Sequence, residues 1–565
     1  MKIILEKSKY HRFSLYYEYA PDIVEFCRLL KESFGWQRFS YDTTSGTKRW
    51  CFSDSFLVTV IKEKYPSVEI DPLVWETVKH EQQLVEDANE KAIEVEKIKQ
   101  KTDSIISIPG LKGELYPYQK IGVEFFMASG GKAILADAPG VGKTAQALAY
   151  IQAKKFNRAL IVCPASVKFA WVNEVKKWTK LSSVVIDSKT KLHEIDDKTV
   201  IWIVNYDILK RHFSQLAKTK FDVIVGDEAH LIKSISSIRS KVFRQISRNI
   251  PHILLLTGTP ILSRPIELFS LLNVVDQISW NNYYDYARKF CAAKQTRFGL
   301  DVSGVSNAEE LHTRIRGYFL RRTKEEVLPQ LPPKNRIEVP VELDPAIIKE
   351  YNTAESNFVS YMKQYSGKQP PEIAKTLQAE KLARLNVLRM LGAKGKEKTA
   401  AEIIESIIDS GEKIIVFSSF IEPLKTLYEI FSKESVILTG ETPVDERGEI
   451  VRTFQEDKET KIFFGGIKSA GTGITLTAAS NTLFLDYPWN PADKEQSENR
   501  AHRPGAEYES LNLYQLHAQG TIDDDMKELL SKKQEIFDTI IDGKTKGMQQ
   551  KALDLVADRI IKKYQ

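Results

Sequence analysis

Residues 133–144 read AILADAPGVGKT, and residues 221–230 read FDVIVGDEAH. In each stretch a short, continuously apolar run ends in polar residues, and the first stretch leads into the helical pattern AQALAYIQA. Continuously apolar strands are typical of parallel sheets that are buried on both faces. A strand that passes through a glycine-rich turn into a helix is the setting in which such a turn binds phosphate. The two stretches therefore predict an α/β fold around a nucleotide site.

Similar strand patterns recur in two series along the chain. The first series is KAILAD, ALIVCP, VIWIVN, FDVIVGDE and HILLLTG, and the second is KIIVFSSF, SVILTG, KIFFGG and NTLFLDYP. Two α/β lobes follow from these series, and aromatic, alternating segments before them indicate a small α+β module. We predict an accessory module at 1–70, a charged helical linker at 71–105, a first lobe at 106–340, a helical insertion at 341–400, a second lobe at 401–540 and a helical tail at 541–565.

The composition argues against a membrane protein and a disulfide-rich protein, and it leaves nucleic-acid binding open. Lysine and arginine number 81 and aspartate and glutamate 75 among 565 residues, so the net charge is +6 and permits nucleic-acid binding without requiring it. Four widely spaced cysteines without a CxxC pair argue against a structural zinc site and a disulfide framework. No apolar run is long enough for a membrane span. We expect a cytoplasmic protein, nucleoid-associated or viral, or a nuclear one in a eukaryote.

The glycine-rich turn supplies the candidate phosphate site. Gly140 and Gly142 let backbone N–H groups surround phosphate oxygens at the positive end of a helix. Lys143 is expected to reach the β- and γ-phosphates, and Thr144 to offer its hydroxyl to Mg²⁺. Asp137 occupies the first position of the motif, where glycine is usual, and we include it in the nucleotide site.

Two further motifs complete the chemistry of phosphoryl transfer. Asp227 ends an apolar strand and is expected to hold Mg²⁺ through water, while Glu228 orients or deprotonates the attacking water. Residues 496–505 read QSENRAHRPG, in which Arg500 and Arg503 are three apart and can share a helix face. We interpret them as arginine fingers from the second lobe, which would make hydrolysis depend on lobe closure.

In this order the motifs resemble those of superfamily-two helicases, and among them the Swi/Snf-type ATPases, over about residues 113–540. The stretches that carry the resemblance are LYPYQKIGVEFF, DAPGVGKT, LIVCPASVKFAWVNEVKKW, IVNYDIL, DEAHLIKSISSIRSK, LTGTPILSRPIELFSLL, IIVFSSF, AGTGITLTAAS and ENRAHRPG. The last motif of the family usually reads RIGQ, and Pro504 and Ala506 depart from it while the arginines stay. The resemblance implies two RecA-like lobes with parallel sheets, helical insertions and the small α+β domain, and it implies ATP and Mg²⁺ as cofactors.

A narrower resemblance points to the annealing-helicase branch of the family, the HepA-related (HARP) proteins. LSRPIELF, ARKFCAAK and LRRTKEEVLPQLPPKNR are similar to that branch, and KRWCF at residues 48–52 resembles its accessory domain. An unrelated α+β cap is the alternative for the first 70 residues. The resemblance implies a translocase on duplex, forked or branched DNA, and a replication or repair protein as a further candidate partner.

The resemblance also assigns roles outside the phosphate site. Gln119 is expected to contact the base. A sequence-neutral grip on DNA would use hydroxyls, amides and cations against phosphates. The expected DNA contacts are Ser166, Lys168, Asn205, Ser418, Ser419 and Thr472. The expected coupling residues are His230, Thr257, Gly258, Thr259 and Gln496. Trp171, Trp178 and Trp202 have helical or strand spacing and are interpreted as core residues.

Three other functions remain open from the sequence. An RNA helicase can also carry DEAH, although the aspartate-led phosphate loop argues against it. A remodeller of protein–nucleic-acid complexes would use the same motor on another load. A non-catalytic scaffold is disfavoured because Lys143, Asp227, Glu228, Arg500 and Arg503 are all present.

Overall fold

The fold consists of a small N-terminal domain, a long helix and two α/β lobes. The computed structural model describes residues 2–5, 13–34, 39–42, 49–52, 55–260, 264–296, 299–364, 371–443, 445–469 and 474–542. Within these ranges no helix is both long and apolar enough to cross a membrane. The expected tail at 541–565 lies almost entirely outside the described residues.

The N-terminal domain is a five-stranded sheet with two helices. Its strands are β1 (Lys2–Leu5), β2 (Phe13–Tyr16), β3 (Phe39–Asp42), β4 (Arg49–Phe52) and β5 (Glu69–Ile70), and its helices are α1 (Pro21–Phe34) and α2 (Ser55–Lys64). The order is β3-β4-β2-β1-β5, antiparallel except for the β1–β5 pair. Aromatic residues on one face of the sheet, among them Phe13, Phe39 and Phe52, form its core with residues of the helices.

Helix α3 (Pro72–Lys99) joins this domain to the first lobe. It begins at the N-cap Asp71, whose side chain accepts a hydrogen bond from the Leu73 N–H at 2.9 Å. Val74 and Val78, near its start, are buried in the N-terminal core, whereas Val95, near its end, is buried in the core of the first lobe. The predicted linker is therefore a helix anchored at both ends.

The first lobe is built on a seven-stranded parallel sheet in the order β14-β6-β11-β10-β7-β9-β8. The strands are β6 (Lys132–Leu135), β7 (Ala159–Cys163), β8 (Ser183–Val185), β9 (Ile201–Asn205), β10 (Val223–Asp227), β11 (His252–Leu256) and β14 (Phe319–Leu320), and β12 (Lys294–Thr296) pairs with β13 (Gly299–Asp301) in a separate hairpin. Alternate residues of each strand enter two hydrophobic clusters on opposite faces, which explains the continuous apolar runs.

Helices cover both faces of this sheet. They are α4 (Pro117–Ala128), α5 (Lys143–Lys154), α6 (Lys168–Trp178), α7 (Leu209–Leu216), α8 (Ile238–Ser247), α9 (Ile266–Val275), α10 (Tyr283–Phe290), α11 (Ala308–Ile315) and α12 (Lys324–Val327). Helices α4 to α6 pack on one face, and α7 to α11 on the other. The carboxyl ends of β6 and β10 meet at one edge, where the phosphate-loop and DEAH motifs follow.

The second lobe has a six-stranded parallel sheet in the order β15-β20-β19-β16-β18-β17. Its strands are β15 (Lys334–Pro340), β16 (Ile414–Ser418), β17 (Ser435–Leu438), β18 (Ile462–Gly466), β19 (Asn481–Phe484) and β20 (Leu511–His517). Its helices are α13 (Pro345–Gln364), α14 (Pro371–Lys394), α15 (Glu397–Asp409), α16 (Ile421–Ile430), α17 (Arg447–Glu456), α18 (Pro491–Ala501) and α19 (Ile522–Asp542).

The boundary between the lobes needs a correction. The prediction placed residues 106–340 in the first lobe, but β15 pairs with β20 along its whole length, from Lys334 opposite Leu511 to Pro340 opposite His517. The chain therefore enters the second sheet before the helical insertion. The charged, mixed sequence KNRIEVP hides this strand because β15 lies at the sheet edge, where several of its side chains are exposed.

Candidate nucleotide site between the lobes

The phosphate-binding loop joins β6 to α5. Gly140 and Gly142 have φ values of 86° and 82°, a region that glycine enters without strain. A Cβ on Gly142 would collide with the Gln119 side-chain amide, so this position also needs glycine for space. Gly142 is the N-cap of α5, and the first N–H groups of that helix are suited to phosphate oxygens.

The Lys143 side chain folds back over this loop. Its ammonium donates hydrogen bonds to the backbone carbonyls of Asp137 at 2.7 Å and Ala138 at 3.1 Å. Burial lowers the pKa of Lys143, while the carboxylates of Glu228, Asp137 and Asp227 act in the opposite direction. The ammonium therefore lies between the loop and the acidic motif, where a γ-phosphate would meet both.

The role of Asp137 requires a correction. Its carboxylate is fully buried and forms an ion pair with Arg322, whose Nε lies 3.1 Å from Oδ1. Arg322 also donates to the Gln146 side chain at 3.1 Å and to the Tyr118 carbonyl. Asp137 therefore fastens the loop to the second residue after β14, and its buried carboxylate is not a nucleotide ligand.

Gln119 contacts the loop itself. Its side chain donates to the Val141 carbonyl at 3.1 Å and accepts from the Tyr116 N–H at 3.0 Å. Gln119 still lines the cavity, next to the half-exposed ring of Tyr116, which stacks on Tyr118 at a centroid distance of 5.8 Å. The structure thus places the predicted base contact at the cavity wall, with an aromatic ring beside it.

The acidic pair follows β10. The Asp227 carboxylate accepts from the Trp171 indole N–H at 2.8 Å and from the Glu228 N–H at 3.0 Å. Burial, followed by the charge of Glu228, raises the pKa of Asp227. Burial alone would raise the pKa of Glu228 as well, but the neighbouring His230 and the charge of Lys143 hold it below its usual range. One carboxylate of the pair is thus stabilised in its charged form.

The predicted coupling residues form a connected group behind this pair. His230 Nδ1 lies 3.3 Å from both Glu228 Oε2 and Thr257 Oγ1. Thr257 Oγ1 also accepts from the Thr259 N–H at 3.1 Å. Gly258 lies against the phosphate loop, since a Cβ there would come 2.8 Å from Pro139 Cγ. This group therefore lies against both the phosphate loop and the acidic pair.

Helix α18 of the second lobe faces the acidic pair across the cleft. Gln496 Nε2 lies 3.3 Å from Glu228 Oε1, a direct contact between the lobes. Arg500, one turn further along, is buried and donates to the Ile474 carbonyl at 3.3 Å. Burial, together with Arg503, lowers the pKa of Arg500 to about 9. Its guanidinium remains a cation at neutral pH in a place shielded from water.

Arg503 lies against the phosphate loop. Its side chain comes 3.4 Å from the position of a Cβ on Gly140. The guanidinium donates to the Asn499 carbonyl at 3.0 Å and to the Thr475 hydroxyl at 2.7 Å. Burial lowers the pKa of Arg503 to about 10. Arg500 and Arg503, which we predicted as arginine fingers, therefore line the same cavity as Lys143.

These groups enclose a cavity of about 480 Å³ between the lobes. The positive-φ glycines, one ammonium and two guanidiniums suit a polyphosphate, and Tyr116 offers a ring for a base. Thr144 and Asp227 both line the cavity and bring hydroxyl and carboxylate oxygens, the donor type that Mg²⁺ prefers. The residues present therefore fit both a nucleotide and the metal.

The predicted DNA contacts do not share one surface. Ser166 is exposed and Lys168 is partly exposed at the start of α6, beside the exposed ring of Phe169. Asn205 is buried, and Ser418 is fully buried and donates to Asp486 at 2.7 Å. The assignment of Ser418 to DNA is therefore corrected, because its hydroxyl is fully buried and bonded to Asp486, and the burial of Asn205 argues against its assignment as well.

The remaining DNA candidates lie in the second lobe. Ser419 is exposed at the end of β16; its N–H donates to Asp486 at 2.8 Å, and its hydroxyl accepts from Arg389 at 3.2 Å. Thr472 lies outside the described residues.

Two residues of the site were missed from the sequence. Trp171 is buried, as expected of a core residue, but its indole N–H also orients the Asp227 carboxylate. Arg322 belongs to the run LRRTKEEVLPQLPP, which in the sequence carries a family resemblance but no predicted site residue. Its pairing with Asp137 spans 185 positions of sequence, and no local pattern indicates it.

A phosphate loop, an acidic strand end and arginines from a second α/β lobe define a two-lobed P-loop nucleotide-binding protein. Comparison with known families assigns the chain more narrowly. The profile of the SNF2-related domain matches residues 118–415, more than half of the chain, and that of the helicase conserved C-terminal domain matches residues 396–505. The chain belongs to the SNF2-related family, which confirms the resemblance to Swi/Snf-type ATPases.

Two named relatives are identical to this chain at about a third of the aligned positions, over most of its length. The chain is 32% identical over 460 residues to "DNA annealing helicase and endonuclease ZRANB3" of Bos taurus, covering 78% of this chain and 42% of that protein. It is 32% identical over 454 residues to "SWI/SNF-related matrix-associated actin-dependent regulator of chromatin subfamily A-like protein 1" of Drosophila melanogaster, covering 76% of this chain and 56% of that protein. The chain thus spans about half the length of these relatives.

Among solved structures, the chain is similar to the "Sulfolobus solfataricus SWI2/SNF2 ATPase core in complex with dsDNA", at 26% identity and a TM-score of 0.39. The similarity covers 78% of this chain and 95% of that one.

Proposed function

We propose that this protein hydrolyses ATP and couples hydrolysis to movement on duplex or forked DNA, with strand annealing or fork remodelling as the work done. The observation that carries the proposal is the composite site, in which Lys143 and Glu228 of one lobe face Gln496, Arg500 and Arg503 of the other. A site divided between two lobes is complete only when they close, so chemistry and lobe motion are linked.

Each residue has a role that its surroundings favour. Lys143 and the α5 N-terminus hold the phosphates, and Glu228, kept charged by its neighbours, orients the attacking water. Arg500 and Arg503 stabilise the charge that develops on the transferred phosphoryl group. Mg²⁺, held by Thr144 and Asp227 when bound, would neutralise phosphate oxygens. Gln496 donates a hydrogen bond to Glu228 and so couples the position of this carboxylate to the second lobe.

The choice of DNA is supported by relatives and by one surface. Two sets of relatives are named as an annealing helicase and as chromatin regulators, and we extend the first role to this chain. Ser166, Lys168 and Phe169 form an exposed group at the start of α6 that suits a phosphate backbone. We further propose that it works on DNA in the nucleoid or nucleus, with a replication or repair protein as partner.

The test is the rate of ATP hydrolysis without nucleic acid and with duplex DNA, single-stranded DNA, forked DNA and RNA. We expect stimulation by duplex or forked DNA, with a loss of about 100-fold or more in Lys143→Ala because the main phosphate cation is gone. The control is Lys458→Ala, an exposed turn lysine of the second lobe, which should match the parent protein.

Other outcomes would assign a different function. Stimulation by RNA alone would contradict the DNA assignment and favour an RNA helicase. Hydrolysis without measurable translocation, together with release of a protein bound to DNA, would favour a remodeller of protein–nucleic-acid complexes. An absence of hydrolysis under every condition would reject the enzyme itself.

A further inference from the structure

The segment between the two sheets contacts the phosphate loop at its start. Arg322 forms the buried ion pair with Asp137, and its carbonyl accepts from the Ala138 N–H at 3.0 Å. Thr323 then caps helix α12, since its hydroxyl accepts from the Glu326 N–H while the Glu326 carboxylate accepts from the Thr323 N–H at 2.7 Å. The backbone at residue 324 is therefore fixed relative to the loop.

The apolar side of this segment also packs on the loop. Leu328 is almost fully buried against Tyr118, Ala138 and Val141, with further apolar residues of the segment around it. Because Ala138 and Val141 belong to the phosphate loop, the segment and the loop share one small core. A shift of the loop should therefore carry α12 with it.

The polar side of α12 faces the second lobe. Lys324 is only 3% exposed, and its side-chain nitrogen Nζ donates to the Asn499 side chain at 2.8 Å and to the His502 backbone carbonyl at the end of α18. The Asn499 carbonyl in turn accepts from Arg503. Burial, followed by Lys334 and Arg503, lowers the pKa of Lys324 to about 6, so at neutral pH its contact with α18 rests on hydrogen bonds and not on a full positive charge.

Lys324 stands close to the nucleotide cavity without forming its wall. Its Nζ lies 3.5 Å from the position of a Cβ on Gly140, yet the cavity lining among the described residues does not include Lys324. Two more contacts of the same segment hold α18: Lys334 donates to Asn499 at 3.2 Å, and the Pro332 carbonyl lies 2.7 Å from His502 Nε2. The segment is thus hydrogen-bonded to Asn499 and His502, the residues of α18 and its C-terminal end that lie just before Arg503.

We propose that Lys324 is a positioning residue that sets Arg500 and Arg503 against the phosphate loop, through Asn499 and His502. The proposal rests on the proposed function, because it assigns the control of ATP hydrolysis at that site. The path runs from Ala138 to Arg322, through the rigid start of α12, and across the lobe interface to α18. Movement of either lobe about this contact displaces the arginines.

The test is Lys324→Met in the full chain, which keeps the length of the side chain and removes its donor. We expect the DNA-stimulated kcat to fall about 10- to 100-fold, as misplaced catalytic groups do, while the KM for ATP changes less than about 2-fold. The affinity for ADP with aluminium fluoride, a mimic of the transition state, should fall by the same factor, and that for ADP alone should not change.

A double variant tests the path through Asn499. If Lys324 acts through this residue, Lys324→Met with Asn499→Ala should lose less kcat than the product of the two single losses. The control is Lys527→Met, which breaks an exposed ion pair with Glu338 within the second lobe and should leave kcat unchanged.

Three results would overturn the inference. One is a kcat within about 2-fold of the parent protein, which lies inside ordinary variation for a surface change. Another is a raised KM with weaker ADP binding, which would make Lys324 a nucleotide ligand. The third is a lower Tm with proportional loss of every activity, the result of a purely structural role. The parent protein and Lys143→Ala are assayed alongside, so a parent protein without DNA-stimulated hydrolysis would reject the proposed function instead.

Discussion

At the scale of single residues, the ion pair between Asp137 and Arg322 shows how the phosphate loop is held. The Asp137 carboxylate is fully buried and the Arg322 side chain is 11% exposed. Removing one partner of such a pair leaves an uncompensated buried charge and costs about 3–5 kcal/mol. We therefore expect Asp137→Ala to lower the Tm of the first lobe by about 10 °C, measured by calorimetry.

The matched control removes an exposed partner in the same lobe. Asp197 pairs with Arg158 at 3.0 Å but is fully exposed, so Asp197→Ala should shift the Tm by no more than about 1 °C. Adding Arg322→Met to Asp137→Ala should recover part of the loss, because the stranded charge is then removed. A nucleotide-binding role of the carboxylate would instead give a normal Tm with weaker ATP binding, and would contradict this assignment.

At the scale of elements, the sequence predicted the strands that form continuously apolar runs and missed those that do not. Strands such as β7, β10 and β16 are buried on both faces and show as unbroken apolar runs. The missed β8, β14 and β15 lie at sheet edges, where one partner strand is enough and polar residues are tolerated. The missed β20 is an interior strand, but polar residues interrupt its sequence LNLYQLH, so it shows no continuous apolar run. Their place depends on pairing with distant strands, which a local pattern does not contain.

Helix α15 offers a test of stability against pH. Glu397, its first residue, is half-buried, and burial raises its pKa to about 7. The folded chain therefore keeps a proton between about pH 4.5 and 7 that the unfolded chain releases, so stability falls as pH rises through this window. We expect Glu397→Gln to raise the Tm by about 2 °C at pH 8 and to leave it unchanged at pH 4.

The control on the same helix is Glu405→Gln, at an exposed position. It should give the same small Tm difference at both pH values, since its side chain is in contact with solvent in the folded chain. A Tm gain of Glu397→Gln that is larger at pH 4 than at pH 8 would contradict the direction of the pKa shift.

At the scale of the whole molecule, the motifs predicted which residues meet but not how they are held. One cavity is lined by the residues of the main motifs, namely Lys143, Glu228, Arg500 and Arg503. The topology of the two parallel sheets places the loops that carry them at facing edges. Hydrogen bonds hold these motifs in place, and they join residues far apart in sequence. They are donated by Trp171, Arg322 and, in the segment before β15, Lys324. Because such bonds arise only from packing, spacing in the sequence does not reveal them.

Helix α3 links the N-terminal domain to the motor, and its rigidity leads to the last prediction. Val78 belongs to one core and Val95 to the other, with about 25 Å of helix between them. If the first 70 residues select branched DNA, their position relative to the motor must be fixed. Inserting Gly-Ser-Gly-Ser after Glu86 should therefore abolish a preference for forked over linear duplex DNA in the ATPase assay, while the rate on linear duplex stays within about 2-fold.

The same insertion after Lys458, in an exposed turn of the second lobe, leaves α3 intact and should keep the fork preference. An equal loss of activity on both DNAs after the α3 insertion would mean that the helix supports the motor itself, through its contacts with the first lobe. A fork preference that survives the insertion would place DNA selection within the two lobes. Either outcome would contradict the proposal that the N-terminal domain selects the DNA structure through a rigid connection at residues 72–99.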